Sequence, residues 1–253
     1  FWLKFSMLIR SPLLRLTRKS VAAMASPAHA GAHPRWEQMW NRGLDKGQAF
    51  DVGGPSQTLA ADLARSQFAP RPGMTALVPG CGRAYDALAL AAHGFESVVA
   101  VDLAQTACDA AQAELVASGD PAAARVTVQC ADFFALEGQY DFIWDCTFLC
   151  ALEPEVRERW AQKQASLLTK GGVLLTCVFP ICEKEGGPPY AMSVPLVQSL
   201  LEPVGLKAVR VLDDLPPQEQ HSPGAGGGPG MRTALAEWRA ADGASAAAGC
   251  CKM

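Results

Sequence analysis

Two glycines and one carboxylate in this chain have the types and the spacing that could serve chemistry. Gly80 and Gly82 form a tight turn directly after an apolar run at residues 75–78, and Asp102 ends a second apolar run at residues 98–101. A helical pattern joins the two runs, so the sequence predicts a strand, a glycine turn, a helix and a second strand. Such units bind adenosine-containing cofactors, because the glycines let the ligand approach the backbone and the carboxylate accepts hydrogen bonds from both ribose hydroxyls.

The residues around this unit favour one adenosine cofactor over another. Asp102 lies about 20 residues after Gly82, a spacing that a dinucleotide site would also show. Tyr85, however, stands where the dinucleotide fingerprint has its third glycine, so a pyrophosphate site is not specified. S-adenosylmethionine has no phosphate, and its sulfonium would gain from the aromatic faces of Trp36 and Trp40, four residues apart on a short predicted helix. Packing of that helix against the sheet and a purely structural glycine turn are the alternatives.

The elements that position these residues alternate along the chain. The sequence predicts strands at residues 75–78, 98–101, 126–130, 140–144 and 173–179, and two closing strands at residues 206–212 and 233–239. Helices are predicted at residues 34–40, 56–68, 105–117 and 193–203, together with a long helix that begins at Pro154 and is stopped by Gly171 and Gly172. This alternation predicts an α/β fold with a parallel sheet and an antiparallel edge.

Ligands bind outside the carboxyl ends of the strands in open α/β sheets, so the residues directly after each strand are candidates for the site. Asp132 and Phe133 come after the third strand and would suit an adenine, although Asp132 could equally be a helix N-cap. Residues 145–148 come after the fourth strand and should face the transferable group. The glycine- and proline-rich segment 180–190 has the profile of a lid over a site, and the loop at residues 216–230 is expected to be mobile.

Length and charge limit the class of protein. The chain has 253 residues, enough for one α/β domain, and a net charge of −3. Residues 1–35 hold six basic and no acidic side chains, so the remainder carries 16 basic and 25 acidic residues. Such an acidic body would repel a phosphate backbone, and no apolar run reaches the roughly 18 residues of a membrane span. We expect a monomer that takes a small molecule or an anion and binds neither nucleic acid nor membrane.

The basic, acid-free front predicts a division of the chain into three parts. Residues 1–33 have the composition of an organelle transit segment, with a disordered or artefactual extension as the alternative. The expected location is the chloroplast or mitochondrion, or the cytoplasm if translation starts at Met24. Residues 34–240 form the predicted domain, and residues 241–253 a flexible tail.

Cysteine and histidine spacing predicts neither a metal site nor a catalytic base. The nine cysteines show no CxxC or Cys/His pairing, and most lie in or beside apolar runs, which is typical of a reduced intracellular protein. Among the histidines, His29, His33 and His221 lie outside every motif, and His93 lies near a helix end. We therefore assign no residue to proton transfer.

Several segments in the same order resemble the thiopurine methyltransferase superfamily, most closely its plant-type thiol/halide methyltransferase branch. They are RWEQMW at 35–40, ALVPGCGRAYDA at 76–87, VDL at 101–103, ADFF at 131–134, YDFIWDCTFLCALEPEVRERWA at 140–161, LLTKGG at 167–172 and GGPPY at 186–190. The resemblance covers about residues 34 to 240.

This resemblance implies a seven-stranded, Rossmann-like class I methyltransferase sheet with helices on both faces, and S-adenosylmethionine as cofactor. The residues that it places around the cofactor are Trp36, Trp40, Phe50, Gly80, Asp102, Asp132, Phe133 and Cys146. Those that it places near the acceptor are Phe148, Arg157, Pro189 and Tyr190. The implied activity is methyl transfer to a thiol, hydrosulfide, thiocyanate or halide ion. These acceptors are already nucleophilic, so alignment and partial desolvation would suffice without a general base.

Three positions depart from the pattern of that branch. Phe50 stands in place of a third tryptophan, Gly54 in place of an arginine, and Cys146 in place of a tyrosine close to the transferable methyl. Another small acceptor, such as a thiopurine or an O- or N-nucleophile, and a non-catalytic cofactor-binding module therefore remain as alternatives. An NAD-dependent oxidoreductase is disfavoured, because Tyr85 breaks its fingerprint.

Overall fold

A computed structural model of the chain describes residues 32–65, 68–221 and 230–240. Its centre is a seven-stranded sheet in the order β3-β2-β1-β4-β5-β7-β6. The strands are β1 Thr75–Pro79, β2 Ser97–Asp102, β3 Val126–Cys130, β4 Tyr140–Cys146, β5 Leu168–Ile181, β6 Leu206–Leu212 and β7 Arg232–Ala240. The first five strands pair in parallel, and β7 is antiparallel to both of its neighbours. The predicted sheet is confirmed.

Six α-helices flank this sheet in the described part of the chain. They are α1 Ala32–Asn41, α2 Gln57–Ala64, α3 Tyr85–His93, α4 Gln105–Ser118, α5 Arg157–Leu167 and α6 Val194–Leu201. One buried cluster packs α2, α3 and α4 against the sheet, and a second packs α5 and α6 against it. Helices therefore cover both faces. None of the described helices has the length and hydropathy that crossing a membrane requires.

The structure corrects three details of the predicted elements. The antiparallel strand β7 lies inside the sheet between β5 and β6, so that β6 forms the edge. Helix α2 ends at Ala64, short of the predicted residue 68. Helix α5 ends at Leu167, and Gly171 and Gly172 lie within β5 instead of stopping a helix.

The glycine pair sits at an irregularity in the pairing of β4 with β5. Tyr140 pairs with Leu168 whereas Phe142 pairs with Val173, so β5 carries extra residues over a short stretch of β4. Gly171 has φ +83°, and a Cβ on Gly172 would lie 3.2 Å from the Asp141 carbonyl oxygen. Glycine is typical of such bulges, and here β5 continues through both glycines.

Predictions on the two ends of the chain lie outside the described residues. The transit segment at 1–33, except its last two positions, and the tail at 241–253 belong there, as do residues 222–229 of the loop predicted to be mobile. The start of that loop is structured, because a short 3-10 turn at Pro217–Glu219 leads into the buried side chain of His221.

Candidate active site

A cavity of about 420 Å³ opens at the carboxyl ends of β1, β2 and β4. Its volume lies within the range of small-molecule sites, and its position is where open α/β sheets bind ligands. Ten of the twelve sequence-predicted site residues line it, namely Trp36, Trp40, Phe50, Gly80, Asp102, Asp132, Phe133, Cys146, Phe148 and Pro189. Arg157 and Tyr190 do not reach the cavity wall.

The glycine turn and Asp102 are held together by hydrogen bonds. Gly82 N–H donates to Oδ2 of Asp102 over 3.0 Å, and Ala104 N–H donates to Oδ1 over 3.0 Å. Burial raises the pKa of Asp102, and these backbone donors oppose that shift. Each carboxylate oxygen has a second lone pair, so Asp102 can still accept hydrogen bonds from a ligand in the cavity.

Both glycines adopt a conformation that leaves room for their neighbours. Gly80 has φ +61°, and a Cβ at this position would lie 2.7 Å from Cδ2 of Phe148. Gly82 has φ +51°, and a Cβ there would lie 3.5 Å from the ring of Trp40. Left-handed backbone favours glycine, and here the absence of a side chain also creates space at the cavity wall.

Three aromatic rings form a corner above the glycine turn. Trp36 and Trp40 lie on one face of α1, and Phe50 packs its ring against both, with centroids 5.9 and 5.7 Å away. The α1 helix is tied to α4 because Glu37 accepts hydrogen bonds from Thr106. Trp36 and Trp40 line the cavity from the same side, as their spacing on one helix face predicts.

An ion pair fastens the segment after α1 to the glycine turn. Arg83 Nε donates to Oδ2 of Asp51 over 2.8 Å, and the guanidinium lies 5.6 Å from the Trp40 ring centroid. Oδ1 of Asp51 accepts from Gly53 N–H over 2.6 Å. Sequence reasoning missed this pair, because Asp51 and Arg83 lie 32 residues apart.

Tyr85, the residue that breaks the dinucleotide fingerprint, brings to the cavity a hydroxyl that is unpaired in the described part of the chain. It lines the cavity, and its hydroxyl is buried without a hydrogen-bond partner among the described residues. Burial raises the pKa of Tyr85 to about 12, so the hydroxyl stays protonated. It is therefore a spare donor at the wall of the cavity.

Asp132 is an N-cap, one of the two interpretations that the sequence left open, and it also lies at the cavity with Phe133. Oδ1 of Asp132 accepts from Phe134 N–H over 2.9 Å and thereby caps the 3-10 turn Phe133–Ala135. Asp132 also lines the cavity, together with the buried ring of Phe133. The Phe133 ring meets that of Phe148 edge to face at 5.0 Å.

Asp145 does not face the cavity, which corrects the prediction for residues 145–148. Strand β4 extends to Cys146, so Asp145 points to the opposite face of the sheet. There Trp160 Nε1 and Gln164 Nε2 donate to Oδ2 over 2.8 and 3.0 Å, and Leu149 N–H donates to Oδ1. Burial raises the pKa of Asp145 to about 6 against these three donors.

Arg157 and Tyr190 pair behind the cavity wall. The Arg157 guanidinium lies 5.2 Å from the Tyr190 ring centroid, and Tyr190 N–H donates to the carbonyl of Cys150, which lines the cavity. Arg157 is buried, and its Nε and Nη2 have no hydrogen-bond partner among the described residues. Burial lowers the pKa of Arg157, although a guanidinium keeps its charge at neutral pH.

His221 is the cavity residue that sequence reasoning set aside. It is buried, it lines the cavity, and its ring lies edge to face with Phe179 at 5.1 Å. Nδ1 lies 3.3 Å from Ser56 Oγ and 3.7 Å from Cys146 Sγ. Burial lowers the pKa of His221, but the Cys146 sulfur and the Asp86 carboxylate outweigh this, and the pKa lies above its ordinary value.

The family model for thiopurine S-methyltransferase matches residues 32–226. A protein named "Probable thiol methyltransferase 2" from Arabidopsis thaliana is 38% identical over 71% of this chain and 76% of its own length. Thiocyanate methyltransferase 1 from Brassica oleracea is 36% identical over 70% of this chain and 75% of its own length. These matches confirm the resemblance drawn from the sequence.

Solved structures confirm the fold. Magnesium protoporphyrin IX methyltransferase from Synechocystis PCC 6803, solved with bound S-adenosylmethionine, superposes with a TM-score of 0.59. The alignment covers 84% of this chain and 93% of that protein, at 18% sequence identity. The sheet described above is therefore that of the class I methyltransferases.

Proposed function

The chain belongs to the thiopurine S-methyltransferase family, and from this premise we propose that its acceptor is a thiol, hydrosulfide, thiocyanate or halide ion. It is an S-adenosylmethionine-dependent methyltransferase that acts on a small nucleophile. The names of the plant relatives support the proposed acceptor class. The observation that carries it is the buried Arg157, a cation without a carboxylate partner among the described residues, which stacks on Tyr190 behind the cavity wall.

The residues at the other end of the cavity fit S-adenosylmethionine. We assign the ribose hydroxyls to Asp102 and the methionine portion to the turn at Gly80, where a Cβ would collide with Phe148. The corner of Trp36, Trp40 and Phe50 supplies aromatic faces for the sulfonium, and Asp132 with Phe133 the adenine contacts. The orphaned Tyr85 hydroxyl provides a further donor, since the cofactor's carboxylate needs one. When bound, the cofactor supplies an electrophilic methyl group on a positively charged sulfur.

The acceptor end is formed by the last residue of β4 and by residues after β4 and β5. Cys146, Phe148 and Pro189 line that part of the cavity, and the pair of Arg157 and Tyr190 stands behind it. We propose that this wall desolvates a small anion and that the guanidinium offsets the cost of bringing its charge out of water. Methyl transfer to such a nucleophile releases a neutral thioether, so the residues act by alignment and exclusion of water.

The proposal is tested by the volatile products. The full chain is incubated with S-adenosylmethionine and either hydrosulfide or iodide in sealed vials, and headspace methanethiol and methyl iodide are quantified. The matched variants are Asp102→Asn, which changes the proposed ribose ligand, and Asp109→Asn, which makes the same change on the exposed surface of α4. We expect both products from the wild type and from Asp109→Asn, and a loss of at least about tenfold in Asp102→Asn at limiting cofactor.

If the protein binds S-adenosylhomocysteine but forms neither product, the proposed acceptor class is contradicted and the methyltransferase assignment is not. The same vials with a thiopurine or an O- or N-nucleophile would then identify the alternative acceptor. Equal product from Asp102→Asn and Asp109→Asn would contradict the assignment of Asp102.

The wider organisation is proposed on the sequence. We propose a monomer with its methyltransferase domain at residues 34–240, and an acidic body that does not engage nucleic acid. The basic residues among 1–33 support targeting to the chloroplast or mitochondrion, with the cytoplasm as the location of a chain that starts at Met24.

A further inference from the structure

The side chains of two cysteines and one histidine converge at the cavity wall, and the proposed methyl transfer gives neither Cys177 nor His221 a role. The thiol sulfurs of Cys146 and Cys177 and a ring nitrogen of His221 all lie within 4.8 Å of one another. All three side chains are buried. Cys146 ends β4, Cys177 is its register partner on β5, and His221 reaches them from the segment before β7.

We propose that Cys146, Cys177 and His221 bind a metal ion of the zinc class. Thiolate and imidazole are the ligands that zinc prefers, and zinc bonds of about 2.0 to 2.3 Å hold such ligands less than about 4 Å apart. The observed 3.7 Å between Cys146 Sγ and His221 Nδ1 already meets this requirement. Soft thiolates disfavour magnesium and calcium, so the donor set selects zinc or a similarly soft ion.

The charges of the site suit a buried position. Two thiolates and one neutral imidazole around a divalent cation give no net charge, and a neutral centre is far less costly to bury than an unpaired ion. Cys146 and His221 line the cavity whereas Cys177 lies beneath them, so the remaining coordination position faces the cavity. Three protein ligands with one open position is the arrangement of zinc sites that exchange a ligand.

The metal-free cluster has a surplus of donors. The hydroxyl of Ser56 and the thiol of Cys146 lie 3.3 and 3.7 Å from Nδ1 of His221, which can accept from only one of them when it is unprotonated. The opposite ring nitrogen, Nε2, is buried without a partner among the described residues. Two neighbouring cysteines alone would be ordinary small apolar residues of a core. A buried imidazole is different, because one of its nitrogens has two possible donors and the other has no hydrogen-bond partner in the described part of the chain, whereas buried polar atoms normally have one.

The test is a cobalt titration of the full chain, without a histidine tag and with its thiols kept reduced. One equivalent of Co²⁺ should produce thiolate-to-cobalt charge-transfer bands in the near ultraviolet, and one equivalent of Zn²⁺ should abolish them. The variants Cys146→Ser, Cys177→Ser and His221→Asn should each lower the affinity at least about tenfold, and the two serine variants should weaken the bands. Cys182→Ser, a half-buried cysteine on the exit loop of β5, is the matched control and should bind like the wild type.

Two further measurements keep the outcome decisive. A Cys250→Ser/Cys251→Ser variant should retain the charge-transfer bands. Loss of the bands in this variant would show that Cys250 and Cys251 bind the cobalt instead. X-ray absorption of the zinc-loaded wild type should show two sulfur ligands, which answers the question even if a variant fails to fold. A titration without charge-transfer bands, or a zinc shell of oxygen and nitrogen only, would overturn the proposal and return the three residues to core packing. The readout is metal binding, so it succeeds or fails independently of methyl transfer.

Discussion

Replacing Gly80 by alanine tests whether the glycine turn is built around a close approach to Phe148. Gly80 has φ +61°, where an alanine costs about 1 to 2 kcal/mol. Its new Cβ would also lie 2.7 Å from Cδ2 of Phe148, and overpacking of this kind costs about 1 to 3 kcal/mol. We therefore expect Gly80→Ala to lower the free energy of unfolding by about 2 to 5 kcal/mol.

A matched control separates the two contributions. Gly119 has φ +63°, and a Cβ at this position would meet no atom within 4 Å, so Gly119→Ala carries the backbone strain without the overlap. We expect it to cost only about 1 to 2 kcal/mol. In a Phe148→Ala background, Gly80→Ala should fall to the same cost, because the nearest remaining atom is the Phe148 Cβ at 3.4 Å.

The assay is urea unfolding followed by circular dichroism, with calorimetric binding of S-adenosylhomocysteine as a second readout. We expect Gly80→Ala to weaken cofactor binding and Gly119→Ala to leave it unchanged. If Gly80→Ala and Gly119→Ala cost the same, or if Phe148→Ala brings no relief, the close approach does not constrain this turn. The Phe148 ring would then be able to move away from a side chain at position 80.

Three further predictions concern charge. Burial raises the pKa of Asp145 from 3.8 to about 6, so the stabilisation by its protonated carboxyl is complete below pH 3.8 and is lost, by about 3 kcal/mol in all, as the pH rises through 6. Asp145→Asn should abolish this part of the pH dependence of the free energy of unfolding, measured by urea unfolding between about pH 4 and 7. An unchanged pH dependence in the variant would contradict the prediction. Arg157→Gln should raise the KM for thiocyanate about tenfold without changing the dissociation constant of S-adenosylhomocysteine, with partial rescue by Arg157→Lys, whereas a loss of cofactor binding would place Arg157 elsewhere. Zinc must displace the protons of two thiols, so its affinity should rise by up to about 100-fold per pH unit, and a pH-independent affinity would argue against thiolate ligands.

The placement of the glycine turn, Asp102 and the aromatic pair at one cavity could be predicted because each depends on local structure. Gly80, Gly82 and Asp102 belong to one strand–helix–strand unit, in which short-range geometry alone brings the turn and the carboxylate together. The aromatic pair Trp36 and Trp40 is likewise predictable from helical spacing within one element. For such residues, the periodicity of a single segment already fixes which side chains share a face.

The errors arose where pairing between elements decides the structure. Gly171 and Gly172 have the sequence signature of a helix stop, but hydrogen bonding with β4 extends β5 through them. The extension of β4 by two residues beyond its predicted end sends Asp145 to one face and Cys146 to the other, because side chains alternate along a strand. The predicted end of β4 was two residues too early, so the prediction for Asp145 was wrong, whereas Cys146 does line the cavity.

The proposed metal site lies beyond the reach of spacing rules for the same physical reason. Such rules detect ligands that one helix or one hairpin brings together, as in a CxxC pair. Here Cys146 and Cys177 become neighbours only through parallel pairing of β4 with β5, and His221 joins them across 75 residues. Its position depends on a hydrogen bond from His221 N–H to the Thr233 hydroxyl at the start of β7, the strand that enters the sheet beside β5. Insertion of β7 between β5 and β6 thus carries the histidine to the cysteines, and a sequence that gives no warning of that insertion cannot reveal the cluster.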